Sequence, residues 1–157
     1  MNILPQTDAI LSTDQKSALA DLAAMMVFAG LGYEPAVNVL KASPRDMIVF
    51  DPANLTSFTV QVKYVSAKNP NKRTYGRGAQ QKGTPKRDHI DYAKAGVDYL
   101  MFVDPFRMQY AIWPKEYYAR YKSMNINKHP SFAIPPVEFI PGMNKVGEEV
   151  ATLDLLS

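Results

Sequence analysis

The sequence predicts an α/β (α+β) domain: a mixed central sheet flanked by helices, in the order α-β-β-β-α-β-β, followed by a C-terminal extension. Three observations predict it. A capped, apolar helix pattern opens the chain between residues 12 and 29. Two strand patterns joined by turn residues follow over Asp46–Val65. An unbroken apolar run, Val97–Val103, then comes after a second helix pattern.

The first helix is announced by Ser12 and Gln15, which stand in the S-x-x-Q spacing of a capping box. Its predicted apolar stripe is Ala18, Leu19, Leu22, Met25, Met26 and Ala29, with the Met pair in the core, and Gly30-Leu31-Gly32 is its stop. Tyr33–Leu40 reads as a first strand, and Pro35 marks it as an edge, since proline cannot donate to a ladder. Residues 41–45 are a connecting loop. Met47–Phe50 are apolar throughout, the pattern of a strand buried on both faces, and Asp51-Pro52-Ala53-Asn54 carries turn chemistry. From Phe58 the pattern alternates: Phe58, Val60, Val62 and Tyr64 face one way, Thr59, Gln61, Lys63 and Val65 the other.

Residues 66–84, rich in Gly, Pro, Asn and Gln among cations, read as a long hairpin or a loop that orders on a ligand. Pro85–Ala95 is predicted to be a helix with Gly96 as its stop. Val97–Val103 is a buried strand, Asp104–Arg107 a turn, and Met108–Trp113 the returning partner, with Trp113 in the core. Pro114 opens a short helix bearing Tyr117, Tyr118 and Tyr121. From Ser123 four prolines and little periodicity predict an extended arm. The expected division is a domain over residues 1–122 and an arm over 123–157, packed on the core or on a partner subunit.

At 157 residues one core suffices. No run of apolar residues reaches the length of a membrane span, and the first ten residues lack the charged and apolar regions of a signal peptide. The absence of cysteine excludes disulfides and Cys-ligated zinc, and His89 and His129 lie too far apart in sequence for a His-x-x-x-His site. The expected location is cytoplasmic, or at least intracellular. The net charge of +3 hides a segregation: nine Lys/Arg against two acids lie between Lys63 and Lys94, leaving nine basic and thirteen acidic residues elsewhere. So localised a basic block is the footprint of a polyanion partner. Lys68, Lys72, Arg73, Arg77, Lys82, Lys86 and Arg87 are the expected phosphate contacts, with Tyr75 as a stacking ring. Cations in the first turn of a helix oppose its dipole, so Lys86 and Arg87 make more sense beside a phosphate.

The chemistry is expected where this block begins. Gln61 and Lys63 share a face of one strand, roughly 7 Å apart. Folding the pair about the middle of residues 51–57 brings Asp46 opposite Gln61 or Val62. An acid, an amide and an amine then converge, as a metal-dependent phosphodiesterase requires: oxygen donors for a hard cation, and a lysine beside the attacking water. Asp21, and less so Asp14, are further acids on the flank of the first helix.

Pro44-Arg45-Asp46, Gln61-Val62-Lys63, the run Val97–Val103 and the closing Ile112-Trp113-Pro114, in this element order, resemble the PD-(D/E)XK nuclease superfamily, whose core is restriction-endonuclease-like. The nearest likeness is to the group I intron-associated homing endonuclease branch, in which Gln takes the usual acid position; it covers about Lys16 to Tyr118. The resemblance implies that Asp46 is the core metal-binding carboxylate, Gln61 a ligand through its side-chain carbonyl, Val62 a ligand through its main-chain carbonyl, and Lys63 the catalytic lysine. Many relatives carry a Glu on the first helix where this chain has Asp21. The resemblance further implies a Mg²⁺-dependent endonuclease, with Mn²⁺ as a substitute, acting on double-stranded DNA as a homodimer or homotetramer. It is expected to be site-specific, of homing or phage type; a Holliday-junction resolvase or restriction-type nuclease shares the fold. Asp21 in place of Glu and Gln61 in place of an acid also suit a non-catalytic DNA-binding protein of that fold. An RNA-binding or structural phage protein with a basic face is the remaining reading.

Overall fold

Ser12 and Gln15 close on each other as their spacing predicts: the Gln15 N–H donates to Ser12 Oγ and the Ser12 N–H to Gln15 Oε1. The computed structural model describes residues 11–40, 43–65, 74–76, 78–79, 90–107, 109–121, 123–125, 129, 131–132, 139–140 and 144–145. From the capping box, helix α1 runs over Thr13–Gly30. It ends in a Schellman motif, with the Tyr33 N–H on Phe28 O, the Gly32 N–H on Ala29 O, and Gly32 at φ +89°.

The buried face of α1 is not the predicted stripe. Ala20, Ala23, Ala24, Val27 and Phe28 are buried, whereas Leu22 and Met26 are 57% and 62% exposed, and Ala18 and Ala29 are exposed too. Both stripes have helical spacing, because α1 is apolar over most of its circumference. The alanines let the helix lie close to the sheet, where leucine and methionine would hold it away. Of the methionine pair only Met25 packs on the core.

Six strands form the main sheet in spatial and sequence order: β1 (Glu34–Val37), β2 (Met47–Asp51), β3 (Thr56–Tyr64), β4 (Tyr99–Asp104), β5 (Gln109–Pro114) and the two-residue β6 (Asn144–Lys145). All neighbours are antiparallel except β3 and β4, which run parallel, so the sheet is mixed and the fold α+β as predicted. β1 with Pro35 is an edge, and β2 pairs with β3 in the register Met47↔Val60. Asp51 closes the turn between them, accepting from the Ala53 and Asn54 N–H groups and from Asn54 Nδ2, while Leu55 stands at φ +53°. Asp104 closes the β4–β5 turn in the same way and pairs with Arg107 at 2.9 Å.

The parallel register is pinned by side chains. Asp98 Oδ2 accepts from the N–H and hydroxyl of Thr59, and the Asp98 N–H donates to Thr59 Oγ1. The sheet separates two cores. On one face α1 packs over Met47, Val49, Val60, Val62, Met101 and Ile112. On the other, Leu100, Phe102, Ala111 and Trp113 are covered by Tyr92, Val97, Tyr118 and Met124. That second core lies over β4 and β5 and stops short of β2, so Ile48 is 45% exposed. β2 is buried on one face, not on both as its apolar run predicts.

The helix predicted over Pro85–Ala95 is also corrected. Residues 85–89 lie outside the described residues, but Ile90–Asp91 is a strand paired with Gly78–Ala79, and residues 92–96 form a turn. Asp91 Oδ1 accepts from the Ala93 and Lys94 N–H groups, the Ala95 N–H reaches Asp91 O at 2.9 Å, and Gly96 takes φ +74°. A single winding is capped at both ends and cannot propagate. Lys115–Tyr118 is the short helix α2 after Pro114. Of the predicted arm, Ser123–Asn125 pairs with Thr74–Gly76 and β6 with β5; most of residues 123–157 lie outside the described residues.

Candidate active site

The β2–β3 register places Asp46 one residue before Met47 and therefore opposite Gln61, with the Asp46 N–H on Val60 O at 3.0 Å. From there the carboxylate turns onto β3. Asp46 Oδ2 accepts from Gln61 Nε2 at 2.6 Å and from the Val62 N–H at 2.9 Å. Gln61 Nε2 is also 3.5 Å from Val62 O, so one amide nitrogen, with its partial positive charge, lies between two oxygens. The other end of the same amide, Gln61 Oε1, is buried without a hydrogen-bond partner. A buried acceptor left in this way costs about 1–3 kcal/mol.

Lys63, two residues on, projects from the same face. Its Nζ donates to Tyr92 Oη at 2.6 Å and lies 4.9 Å from the ring centroid, at the hydroxyl end. It makes no direct ion pair with Asp46, although each feels the other's charge. Asp21 arrives from α1. It follows Ala20 and lies one turn before Ala24, at the border of the buried face, and that helix phase turns it toward the sheet.

Burial dominates the electrostatics. It pushes the Asp46 carboxyl above its ordinary range, against the Val62 N–H and the Lys63 charge, which pull it down. It pushes the Lys63 ammonium below its ordinary range, opposed by Asp46. Asp21 is pushed up to about 6, first by burial and then by the charge of Asp46. Tyr92 is pushed up to about 12 for the same two reasons. These are groups short of solvent and short of positive charge.

A hard divalent cation suits these residues. Among the described residues no three acidic or imidazole side chains gather. The Asp46 carboxylate and the Val62 carbonyl converge on Gln61 Nε2, with Asp21 close enough for the Asp46 charge to raise it. The unpartnered Oε1 is at the other end of that amide, and a half-turn of the amide would bring it to the same two oxygens, an arrangement that needs a cation among them. Mg²⁺ needs only one or two carboxylates and completes its shell with water and substrate oxygens.

Asp21, Asp46, Gln61, Val62 and Lys63 are thus brought to one place, while Asp14 sits exposed in the first turn of α1. Lys68, Lys72, Arg73, Arg77, Lys82, Lys86 and Arg87 lie outside the described residues, as does the side chain of Tyr75. Tyr92 and Arg45 were missed as parts of the site. Arg45 Nη2 donates to Ala95 O and so ties the residue before Asp46 to the turn that carries Tyr92. A signal for Tyr92 existed: a large polar-tipped aromatic directly after Asp91 and before a glycine-stopped turn. Read as helix, that segment gave the ring no defined direction.

The fold is similar to that of a bacterial homing endonuclease, I-Ssp6803I, with a TM-score of 0.60 over 73% of this chain and 77% of that one, at 15% sequence identity. No family model matches the sequence, and no curated protein matches it. No described helix is long and apolar enough to cross a membrane.

Proposed function

We propose that the chain is a Mg²⁺-dependent DNA endonuclease of the PD-(D/E)XK type, site-specific in the manner of a homing or phage enzyme, with Mn²⁺ able to substitute. The observation that carries this reading is the Gln61 amide set between the Asp46 carboxylate and the Val62 carbonyl, its own buried oxygen without a donor, two residues before a half-buried lysine. Its support is the fold shared with a homing endonuclease and the net positive segment that begins at Lys63.

In this reading Asp46, Gln61 and Val62 hold the cation, with Asp21 acting directly or through water. A cation bound there supplies Lewis-acid charge at the phosphate and acidifies a bound water. The chain's own residues do the remainder. Lys63 orients the attacking water and offsets charge on the phosphate. The second core behind Lys63 and Tyr92 excludes bulk water, which strengthens every charge interaction in the site. The water oxygen bonds to phosphorus as the bond to the departing sugar oxygen breaks; the proton shed by the water passes to solvent, and the sugar oxygen takes one from a solvent water. One site per chain cuts one strand, so we extend the proposal to a homodimer or homotetramer on double-stranded DNA, with the basic segment 66–89 as the phosphate-contacting element.

The test is cleavage of supercoiled plasmid, four-way junction and random-sequence duplex in Mg²⁺, Mn²⁺ or EDTA, beside Asp46→Ala and Lys63→Ala. Metal-dependent cutting lost in both variants is expected, and the substrate cut separates a site-specific enzyme from a junction resolvase. Salt-sensitive binding without cutting, on a panel that includes candidate cognate sites, would favour the non-catalytic DNA-binding reading. No binding at low salt refutes both.

A further inference from the structure

We propose that Tyr92 is the positioning residue for Lys63, keeping its ammonium away from Asp46 so that the carboxylate stays open to a cation. The proposal rests on the nuclease reading above. The alternative state is easy to picture: a lysine and a carboxylate sharing a partly buried site attract strongly and collapse into an ion pair. Such a pair would take the oxygen a cation needs and point Nζ away from substrate. Here it has not formed. Lys63 Nζ lies 2.6 Å from Tyr92 Oη, and Asp46 Oδ2 is held by Gln61 and the Val62 N–H. Asp46 Oδ1 accepts no hydrogen bond from the described residues.

Tyr92 is suited to this task because it is buried and its turn is held from both sides. It is 1% exposed in the second core, its carbonyl accepts from the Val97 N–H, and the turn it begins is held by Asp91 at its start and by Arg45, two residues before β2. The same Arg45 precedes Asp46, so one residue fixes both the carboxylate's strand and the tyrosine's turn. A neutral hydroxyl orients the ammonium without a second negative charge that would compete for the cation.

Tyr92→Phe keeps the ring and removes only the hydroxyl. The first readout is the ¹H–¹⁵N signal of the Lys63 ammonium, assigned by its loss in Lys63→Met. It should be visible in the wild type and lost or broadened in Tyr92→Phe at an unchanged melting temperature. The second is single-turnover cleavage against Mg²⁺ concentration. Tyr92→Phe should raise the half-saturating Mg²⁺ about tenfold, the worth of one hydrogen bond to a charged group, with the KM for DNA unchanged. In a Lys63→Met background, the same substitution should leave Mn²⁺ binding, followed by calorimetry on the DNA complex, where Lys63→Met alone sets it. A further loss there means Tyr92 acts through the fold and not through the lysine, and overturns the proposal. A cutting wild type whose Tyr92→Phe variant keeps both the signal and the Mg²⁺ dependence removes the positioning role and leaves the nuclease reading intact. A wild type that shows the signal but cuts no DNA removes the nuclease reading, and with it the purpose assigned to the contact.

Discussion

Asp21→Asn should make the metal-free protein more stable at neutral pH while crippling its activity. A carboxyl whose folded pKa is raised contributes stability that is complete below its unfolded value of 3.8 and lost as pH rises through about 6. Above that, the charged group burdens the fold. The full shift corresponds to about 3 kcal/mol by linkage. Asp21 is only half-buried, and solvent screening cuts that to about 1 kcal/mol. Asparagine stays neutral at every pH and escapes the loss. Urea denaturation in EDTA should therefore find the variant about 1 kcal/mol more stable than wild type at pH 7.5 and equal to it near pH 3.5. Cleavage in Mg²⁺ should fall in the same variant. A variant less stable at pH 7.5, or one whose gain is the same at both pH values, refutes the argument that Asp21 is held charged against burial and Asp46.

Gln61→Glu removes the amide donor to Asp46 Oδ2 and sets a like charge beside it. It should cost about 2 kcal/mol in EDTA, and millimolar Mg²⁺ should raise its melting temperature more than the wild type's; equal protection counts against a cation at this place. Leu55→Gly should stabilise the protein by about 1 kcal/mol, because Leu55 is 79% exposed and strained at φ +53°; thermal melting reads this directly. Phe28→Ala should cost about 3–5 kcal/mol and Met26→Ala under about 0.5, as measured by urea denaturation. Comparable losses would mean that α1 is turned the other way.

The hairpin was the most legible part of the sequence because its signals are local. Alternation over Phe58–Val65 has one solution, and the turn residues at Asp51–Asn54 fix the register that sets Asp46 against Gln61. The phase of α1 was not legible. Two stripes satisfy the same spacing on a helix that is apolar nearly all round, and the decision depends on how closely the helix must approach the sheet. Nor was the Tyr92 turn: Asp91, which caps its start, is equally at home at the start of a helix, and the arginine that braces it, Arg45, is 50 residues away from Ala95 in sequence. The exposed side of β2 follows from the extent of the second core, a quantity with no local sequence signal.

The lone parallel pair in the sheet has a thermodynamic consequence. β3 and β4 can meet only after the chain between Tyr64 and Tyr99 has been closed into a loop, and that stretch carries most of the protein's excess positive charge. Like charges along that stretch repel one another and oppose its closure. Added salt should then steady the uncomplexed fold instead of weakening it. A polyanion bound to that stretch, as proposed above, would remove the same opposition, and binding and completion of the sheet would then favour each other by the same free energy.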